Sequence, residues 1–211
     1  MSAPVGRGEA KRLKVLWEYE ILDTVPEEVF DDLTELAARI CEAPIALISL
    51  VDEDRQWFKS RVGMTLTETS RDISFCAHAI QQHDLFIVPD ATKDARFAAN
   101  PLVVSDPKIR FYAGAPLITP DGHALGSLCV IDKEPRQLRL EQQQALRVLA
   151  RHVMTQLELR RHAKDLAEAH NAREATKGEL SKVQAENAKL KRELAKLKKG
   201  EAARKITKKK K

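Results

Sequence analysis

The chain holds three cysteines, Cys41, Cys76 and Cys129, and these are its best candidates for covalent chemistry. Cys76 stands where the sequence predicts a helix to begin. The positive end of a helix lowers a thiol's pKa, so Cys76 is the candidate for thiol redox chemistry. Cys129 lies within an apolar run and reads as a small hydrophobe. An odd, widely spaced set without a CxxC is neither a disulfide framework nor a zinc knuckle, and it suits a reducing compartment. Cys76 and His78 are two residues apart, about 200° around a helix, so with His83 they make no metal site.

A second set could hold a ligand. Asp52, Arg55, Arg71, Asp72, Asp90, Asp94, Arg96, Asn100 and Arg110 flank predicted strand ends and loops. Charge-assisted hydrogen bonds from such groups can grip a polar or anionic molecule, or tie loops to a sheet as structural ion pairs. Trp57, Phe58, Phe75, Phe97, Phe111 and Tyr112 could line a pocket for a flat ligand or fill a core. From both sets the expected ligand-binding residues are Asp52, Arg55, Trp57, Phe75, Cys76, Asp90, Arg96, Phe97, Asn100 and Tyr112. There is no Ser-His-Asp arrangement and no pair of carboxylates at a defensible spacing, so the expectation is a non-catalytic binding module. The sequence names no cofactor.

Placing these residues requires the elements around them. Leu13, Leu16, Trp17 and Ile21 recur at helical spacing and predict a first helix from about residue 8 to 21. Thr24 or Asp23 can cap a second helix, with Pro26 in its first turn, running to about Cys41 on a stripe of Val29, Phe30, Leu33, Leu36, Ala37 and Ile40. Pro44 ends it. Residues 45–51 form a short apolar run, a buried strand, and 55–62 return as its hairpin partner. Residues 64–73 read as a loop, and Ser74 caps a helix over 75–82. Residues 85–88, 110–118 and 124–131 are strands, with a turn at 120–123. Residues 91–106 read as a loop with a short helix near Ala95. This order implies an α+β fold, an antiparallel sheet of about five to six strands with flanking helices.

From about Leu140 the pattern is helical for roughly 60 residues. Leu146, Leu149, Val153 and Leu157 give a broad face that suits packing on the sheet. Beyond Leu159 the face narrows to Leu180, Val183, Asn187, Leu190, Leu194 and Leu197, alternating by three and four as a heptad seam. Asn187 falls at an a position, where a buried Asn pair favours a parallel, in-register dimer. Gly200 is expected to end the helix. The domains expected are a flexible N-terminus at 1–9, a folded domain at 10–158, a coiled-coil helix at 159–200 and a disordered lysine-rich tail at 201–211.

The net charge of +5 hides a split. Residues 159–211 carry 18 Lys+Arg against 7 Asp+Glu, a net of +11, and residues 1–158 carry 18 against 24, a net of −6. An acidic body with a basic arm suggests that the arm, with Arg204 to Lys211, can touch nucleic acid or another anionic surface weakly. The tail lacks interleaved aromatics, which argues against base stacking. No apolar stretch is long enough to span a membrane, and no signal peptide is visible, so the expected location is cytoplasmic.

Seven blocks, in order, resemble a bacterial GAF-domain subfamily: Tyr19-Glu-Ile-Leu-Asp-Thr-Val-Pro-Glu-Glu-Val-Phe-Asp31, Pro44-Ile-Ala-Leu-Ile-Ser-Leu-Val-Asp52, Arg55-Gln-Trp-Phe-Lys59, Arg71-Asp-Ile-Ser-Phe-Cys76, Asp94-Ala-Arg-Phe-Ala-Ala-Asn-Pro101, Arg110-Phe-Tyr-Ala-Gly-Ala-Pro-Leu117 and Gly126-Ser-Leu-Cys-Val-Ile-Asp132. The resemblance covers roughly residues 10–160. It implies a PAS-like plan: a central antiparallel sheet, a ligand pocket on one face and helices that mediate dimers on the other. Larger relatives place such a domain ahead of a kinase or diguanylate-cyclase output domain. No Gly-Gly-Asp/Glu-Glu-Phe, kinase-type nucleotide motif or helix-turn-helix is visible here. Output is therefore expected to pass through a homodimeric coiled coil or a signalling partner protein. Motifs of bilin-binding and cyclic-nucleotide-binding GAF domains are missing too. Two alternatives stand beside the sensor reading. One is a scaffold with a vestigial pocket and a basic tail. The other is a thiol redox enzyme of the free methionine sulfoxide reductase type using Cys76, although the cysteines do not sit at that enzyme's motif positions.

Overall fold

In the computed structural model the described residues are 5, 6 and 8–208, with only the backbone described at 195 and 197–208. The chain divides into two units, Met1–Arg161 and His162–Lys211. In the first unit, helices α1 (Glu9–Glu18) and α2 (Glu28–Cys41) precede strands β1 (Ile45–Val51), β2 (Arg55–Val62) and β3 (Glu68–Ser70). A 3-10 turn (Arg71–Ile73), helix α3 (Cys76–Ala79), strand β4 (Phe86–Val88) and helix α4 (Pro101–Val104) follow, then strands β5 (Phe111–Ile118) and β6 (Ala124–Asp132). Helix α5 (Leu140–Lys208) begins in this unit and continues into the second.

The six strands form one sheet in the order β3-β2-β1-β6-β5-β4. All five pairings are antiparallel. This is the α+β fold that strand hairpins between helices imply. β1 lies at its centre, and every one of its residues is buried, which is why its sequence is a continuous apolar run rather than an alternation.

Alternate side chains along each strand separate two cores. One holds Leu16, Phe30, Ala37, Ile48, Phe111, Ala113, Leu128 and the first turns of α5, and it lies under α1, α2 and α5. Leu146, Leu149, Val153 and Leu157 of α5 all pack there. The other holds Leu47, Phe58, Phe75, Cys76, Phe86, Phe97, Tyr112 and Cys129, and it lies under α3, α4 and their loops. The sheet therefore has a helix face and a loop face.

Several local expectations change. The first helix stops at Glu18, and Ile21 reaches the core from the turn beyond it. Trp17 is exposed on that helix, where its indole Nε1 donates to Asp52 Oδ1 at 3.0 Å. Val29 and Leu36 face solvent, while Thr34 takes a core position and returns its hydroxyl to the Phe30 carbonyl. No side chain caps α2; Thr24 donates instead to the Ile21 carbonyl. The loop over 64–73 contains the short strand β3 and the 3-10 turn. The short helix expected near Ala95 forms at Pro101–Val104, because Asn100 accepts from the Leu102 N–H and Pro101 suits the first turn. Helix α5 runs through Gly200 to Lys208. Residues 209–211 of the lysine-rich end lie outside the described residues.

Candidate functional site

The expected ligand residues do not gather at one place. Asp52 and Arg55 flank the β1–β2 turn. Arg55 donates to both oxygens of Asp23 at 3.0 and 2.7 Å and to Glu68 at 2.6 Å. Arg71 donates to the carbonyls of Asp52 and Glu53 and pairs with Glu9 at 2.7 Å. Buried Arg12 grips Glu9 as well and reaches the carbonyls of Val51 and Ala124. Burial works against the charge on Glu9, but the hydrogen bonds from Arg12 and Arg71 hold its carboxyl below the usual range. These charges fix turns and the start of α1 to the sheet.

Trp57 and Asp90 fall elsewhere. Trp57 belongs to the core under the helix face, away from Phe75, Phe97 and Tyr112. Asp90 closes its own turn through the backbone and side chain of Thr92.

The loop face brings the rest together. Phe75 stacks on Phe97 at 4.0 Å between ring centroids and on Tyr112 at 5.2 Å. His78 meets Phe97 edge-on at 4.8 Å. Burial, with the nearby Arg96 charge, lowers the pKa of His78 and favours the neutral ring. The guanidinium of Arg96 lies over Phe86 and Phe97 at 4.8 and 5.4 Å, held there by Asp94. Asn100 ties this loop to the 3-10 turn by donating to the Ile73 carbonyl at 3.0 Å.

The rings fill the face. A cavity of about 20 Å³ remains beside Phe75, Cys76 and Tyr112, bounded also by Gln56, Met64 and Leu66. That is room for about one water molecule, so a larger ligand must displace Phe75 or its neighbours. On the helix face, a depression of about 370 Å³ lies beside β5 and α5, with Ala115, Ala150 and Met154 in its lining and the Arg147–Asp84 pair beside them.

Sequence reasoning missed a buried polar cluster next to the small cavity. Gln56 Oε1 accepts from the hydroxyls of Ser74 and Ser49, and its amide donates to Thr69 at 2.7 Å. The Ser74 hydroxyl accepts from the Ala77 N–H, so Ser74 does cap α3. The Tyr112 hydroxyl reaches Ser127 Oγ at 3.2 Å and donates to Cys76 Sγ at 3.4 Å. The Cys76 and Cys129 sulfurs are 3.9 Å apart. Its signal in the sequence is a serine in each of two apolar strands, Ser49 and Ser127, which the sheet register sets side by side. Buried hydroxyls in apolar strands need partners, and these have them.

The hydrogen bond from Cys129, against the effect of burial, holds the Cys76 thiol well below the ordinary thiol range. That same bond, together with burial, pushes Cys129 up. Burial also raises the Tyr112 hydroxyl well above its usual value, so it remains a donor.

Among solved structures, the chain is similar to the GAF domain of a phosphoenolpyruvate-protein phosphotransferase from Coxiella burnetii, at 16% identity and a TM-score of 0.53 over 74% of this chain and 96% of that one. The corresponding domain from Acinetobacter gives 18% identity and a TM-score of 0.52 over 72% and 94%. At those identities the likeness concerns the fold. In sequence, the chain is 44% identical over 155 residues to a cyclic di-GMP phosphodiesterase of Pseudomonas aeruginosa, covering 73% of this chain and 26% of that protein. The chain thus spans about a quarter of that relative's length. The GAF domain family matches residues 25–157, the stretch that builds the sheet and both of its faces, and the chain belongs to that family.

Proposed function

We propose that this chain is a sensory GAF module that signals through helix α5 as a parallel homodimer. The observation that supports this most directly is the composition of α5 itself. Its first turns are core residues of the domain, and the same helix goes on to carry the heptad seam. Leu180, Val183, Leu190 and Leu194 each expose more than half of their surface in the single chain. The side chain of Leu197, the last seam position, lies outside the described ones. Leucines at helical spacing left in water favour a second helix to cover them.

The input end is the loop face, where Phe75, Cys76, Arg96, Phe97, Asn100 and Tyr112 meet. Asp52, Arg55, Trp57 and Asp90 act as supports for the fold in this reading. A change at the loop face reaches α5 through β6, whose residues face both cores, and through the contacts around α5. The Tyr19 hydroxyl donates to Glu158, Arg161 lies over the Tyr19 ring at 4.6 Å, and Arg160 reaches the carbonyls of Tyr19 and Glu20. The resemblance to about a quarter of a cyclic di-GMP phosphodiesterase supports a signalling role for this module. Among the described residues no helix is long and apolar enough to cross a membrane.

The full chain at tens of micromolar should sediment as two chains of 23.7 kDa each, and truncation after Leu159 should shift it towards monomer. A full-length monomer would sink the proposal. Asn187→Leu should raise the dimer's melting temperature and loosen its preference for two strands, because a buried Asn pair costs stability to enforce register. An unchanged melting temperature and oligomeric state would place Asn187 outside the seam. Native mass spectrometry of freshly isolated protein should show a retained small molecule if the loop face opens to hold one.

A further inference from the structure

Two of the three cysteines meet in the core under the loop face. Cys76 opens α3 and Cys129 lies in β6, two elements 53 residues apart in the chain, yet their sulfurs approach to 3.9 Å. Closing that gap to the ~2.05 Å of a disulfide needs a movement of about 2 Å. The small cavity opens on Cys76. Leu66, which bounds it on the outer side, is exposed, and Met64 is partly so. Both sulfurs are buried and the cavity has room for about one water molecule, so a peroxide reaches Cys76 only as Met64 and Leu66 give way. The polar cluster suits an anion on that sulfur, with the Tyr112 hydroxyl donating to Cys76 Sγ and Ser127 behind it.

We propose that Cys76 and Cys129 form a reversible oxidation site for a small hydroperoxide, with Cys76 as the attacking thiol and Cys129 as the resolving one. In the first step the Cys76 sulfur attacks the peroxide. Its S–O bond forms as the O–O bond breaks; the sulfur loses two electrons to the peroxide, which leaves as hydroxide or alkoxide and takes up a proton. In the second step the Cys129 sulfur attacks the sulfenic acid. The S–S bond forms, the S–O bond breaks, and the Cys129 proton leaves with the departing hydroxide as water. A small dithiol reverses the reaction by exchange. Cys76 takes the attacking role because it is the member of the pair that lines the cavity, and Cys129 lies behind it in β6. Cys41 is buried in the core under the other face, where burial pushes its thiol up to about 11, and it takes no part.

The site is independent of the α5 relay, since its readouts are thiol content and peptide linkage, while the relay is read from oligomeric state. The test is treatment of the reduced full chain with a few equivalents of hydrogen peroxide, alongside N-acetylcysteine as a reference thiol. The thiol titre should fall from three per chain to one, the intact mass should drop by two hydrogens, and peptide mapping should join Cys76 to Cys129. Dithiothreitol should restore all three. Cys129→Ala should retain a sulfenic acid at Cys76 that a β-diketone probe traps, and Cys76→Ala should leave its remaining thiols unoxidised. The wild-type experiment decides even if a variant fails to fold. Three thiols surviving until the reference thiol is consumed, a bridge that includes Cys41, or over-oxidation of Cys76 without a bridge would each overturn the proposal.

Discussion

Gly126→Ala is expected to cost the domain its soluble fold. Gly126 lies in β6 opposite Leu50 of β1, in the centre of the sheet. A Cβ there would stand 1.9 Å from the Ser49 carbonyl oxygen and 2.8 Å from the Leu50 Cα. Both are backbone atoms of the strand with the most complete burial, so no rotamer can relieve the clash. β1 is also paired to β2 on its other side, with a register irregularity between Ile48 and Ser49, so moving β1 away disturbs two pairings at once. Overpacking by a single methylene in a tight core commonly costs about 1–3 kcal/mol. A backbone collision adds strand separation to that, and domains have only about 5–15 kcal/mol in total. The expected result is insoluble protein or a melting temperature lowered by more than ten degrees. Gly122→Ala is the matched control: its φ is +87°, but nothing lies within 4 Å of the added carbon, so it should cost only the strain of a left-handed backbone, roughly 1 kcal/mol. If Gly126→Ala melts within a few degrees of the parent, the β1–β6 packing described above is wrong.

The strands were legible because their sequences are unusually plain. Residues 45–51 are apolar throughout, and such a run between Pro44 and Asp52 has few uses other than a central strand. The hairpins at 45–62 and 110–131 carry their own turn residues. What the pattern hid was which face each side chain joins. Trp57 and Phe58 are neighbours in sequence, so they point to opposite faces, and only Phe58 reaches the core under the loop face. Grouping Trp57 with Phe75 and Tyr112 ignored that alternation. The charges presented a different difficulty. Asp52, Arg55 and Asp90 have the composition of a binding site, but Asp52 is bonded to Trp17, Arg55 to Asp23 and Glu68, and Asp90 to Thr92, and most of these partners lie far away in the sequence. The Cys76–Cys129 approach depends on a contact across 53 residues and could not be read from spacing. Ser49 and Ser127 were its one visible trace, two hydroxyls in strands that otherwise exclude polar groups.

Glu27→Ala is expected to destabilise the domain far more than Lys59→Met, although both break the same ion pair. The Lys59 side chain is completely buried. Its ammonium donates to Glu27 Oε1 at 2.6 Å, to the Val25 carbonyl at 2.7 Å and to Thr24 Oγ1 at 3.0 Å, and it lies 5.2 Å from the centre of the Phe30 ring. Removing Glu27 leaves this cation in the core with neutral partners only, and a stranded buried charge typically costs about 3–5 kcal/mol. It also frees Arg160, whose Nε donates to the same Glu27 oxygen at 3.2 Å. Lys59→Met keeps the volume, removes the charge and leaves Glu27 paired with Arg160, so it should cost about 1 kcal/mol or even stabilise the fold. The double variant should melt close to Lys59→Met, because no buried cation remains to be stranded. Acid should act on the same contact. Burial opposes the charge on Glu27, but the Lys59 hydrogen bond and the Lys59 and Arg160 charges hold its carboxyl below the usual 4.5. A depressed carboxylate contributes stability that is present above its unfolded pKa and is lost as the pH falls through its folded value. Below pH 4.5 the parent should therefore lose stability faster than Glu27→Ala does, and the gap between the two melting temperatures should narrow. Equal losses for Glu27→Ala and Lys59→Met at neutral pH, or a gap that is constant on acidification, would show that the buried ammonium does not depend on Glu27.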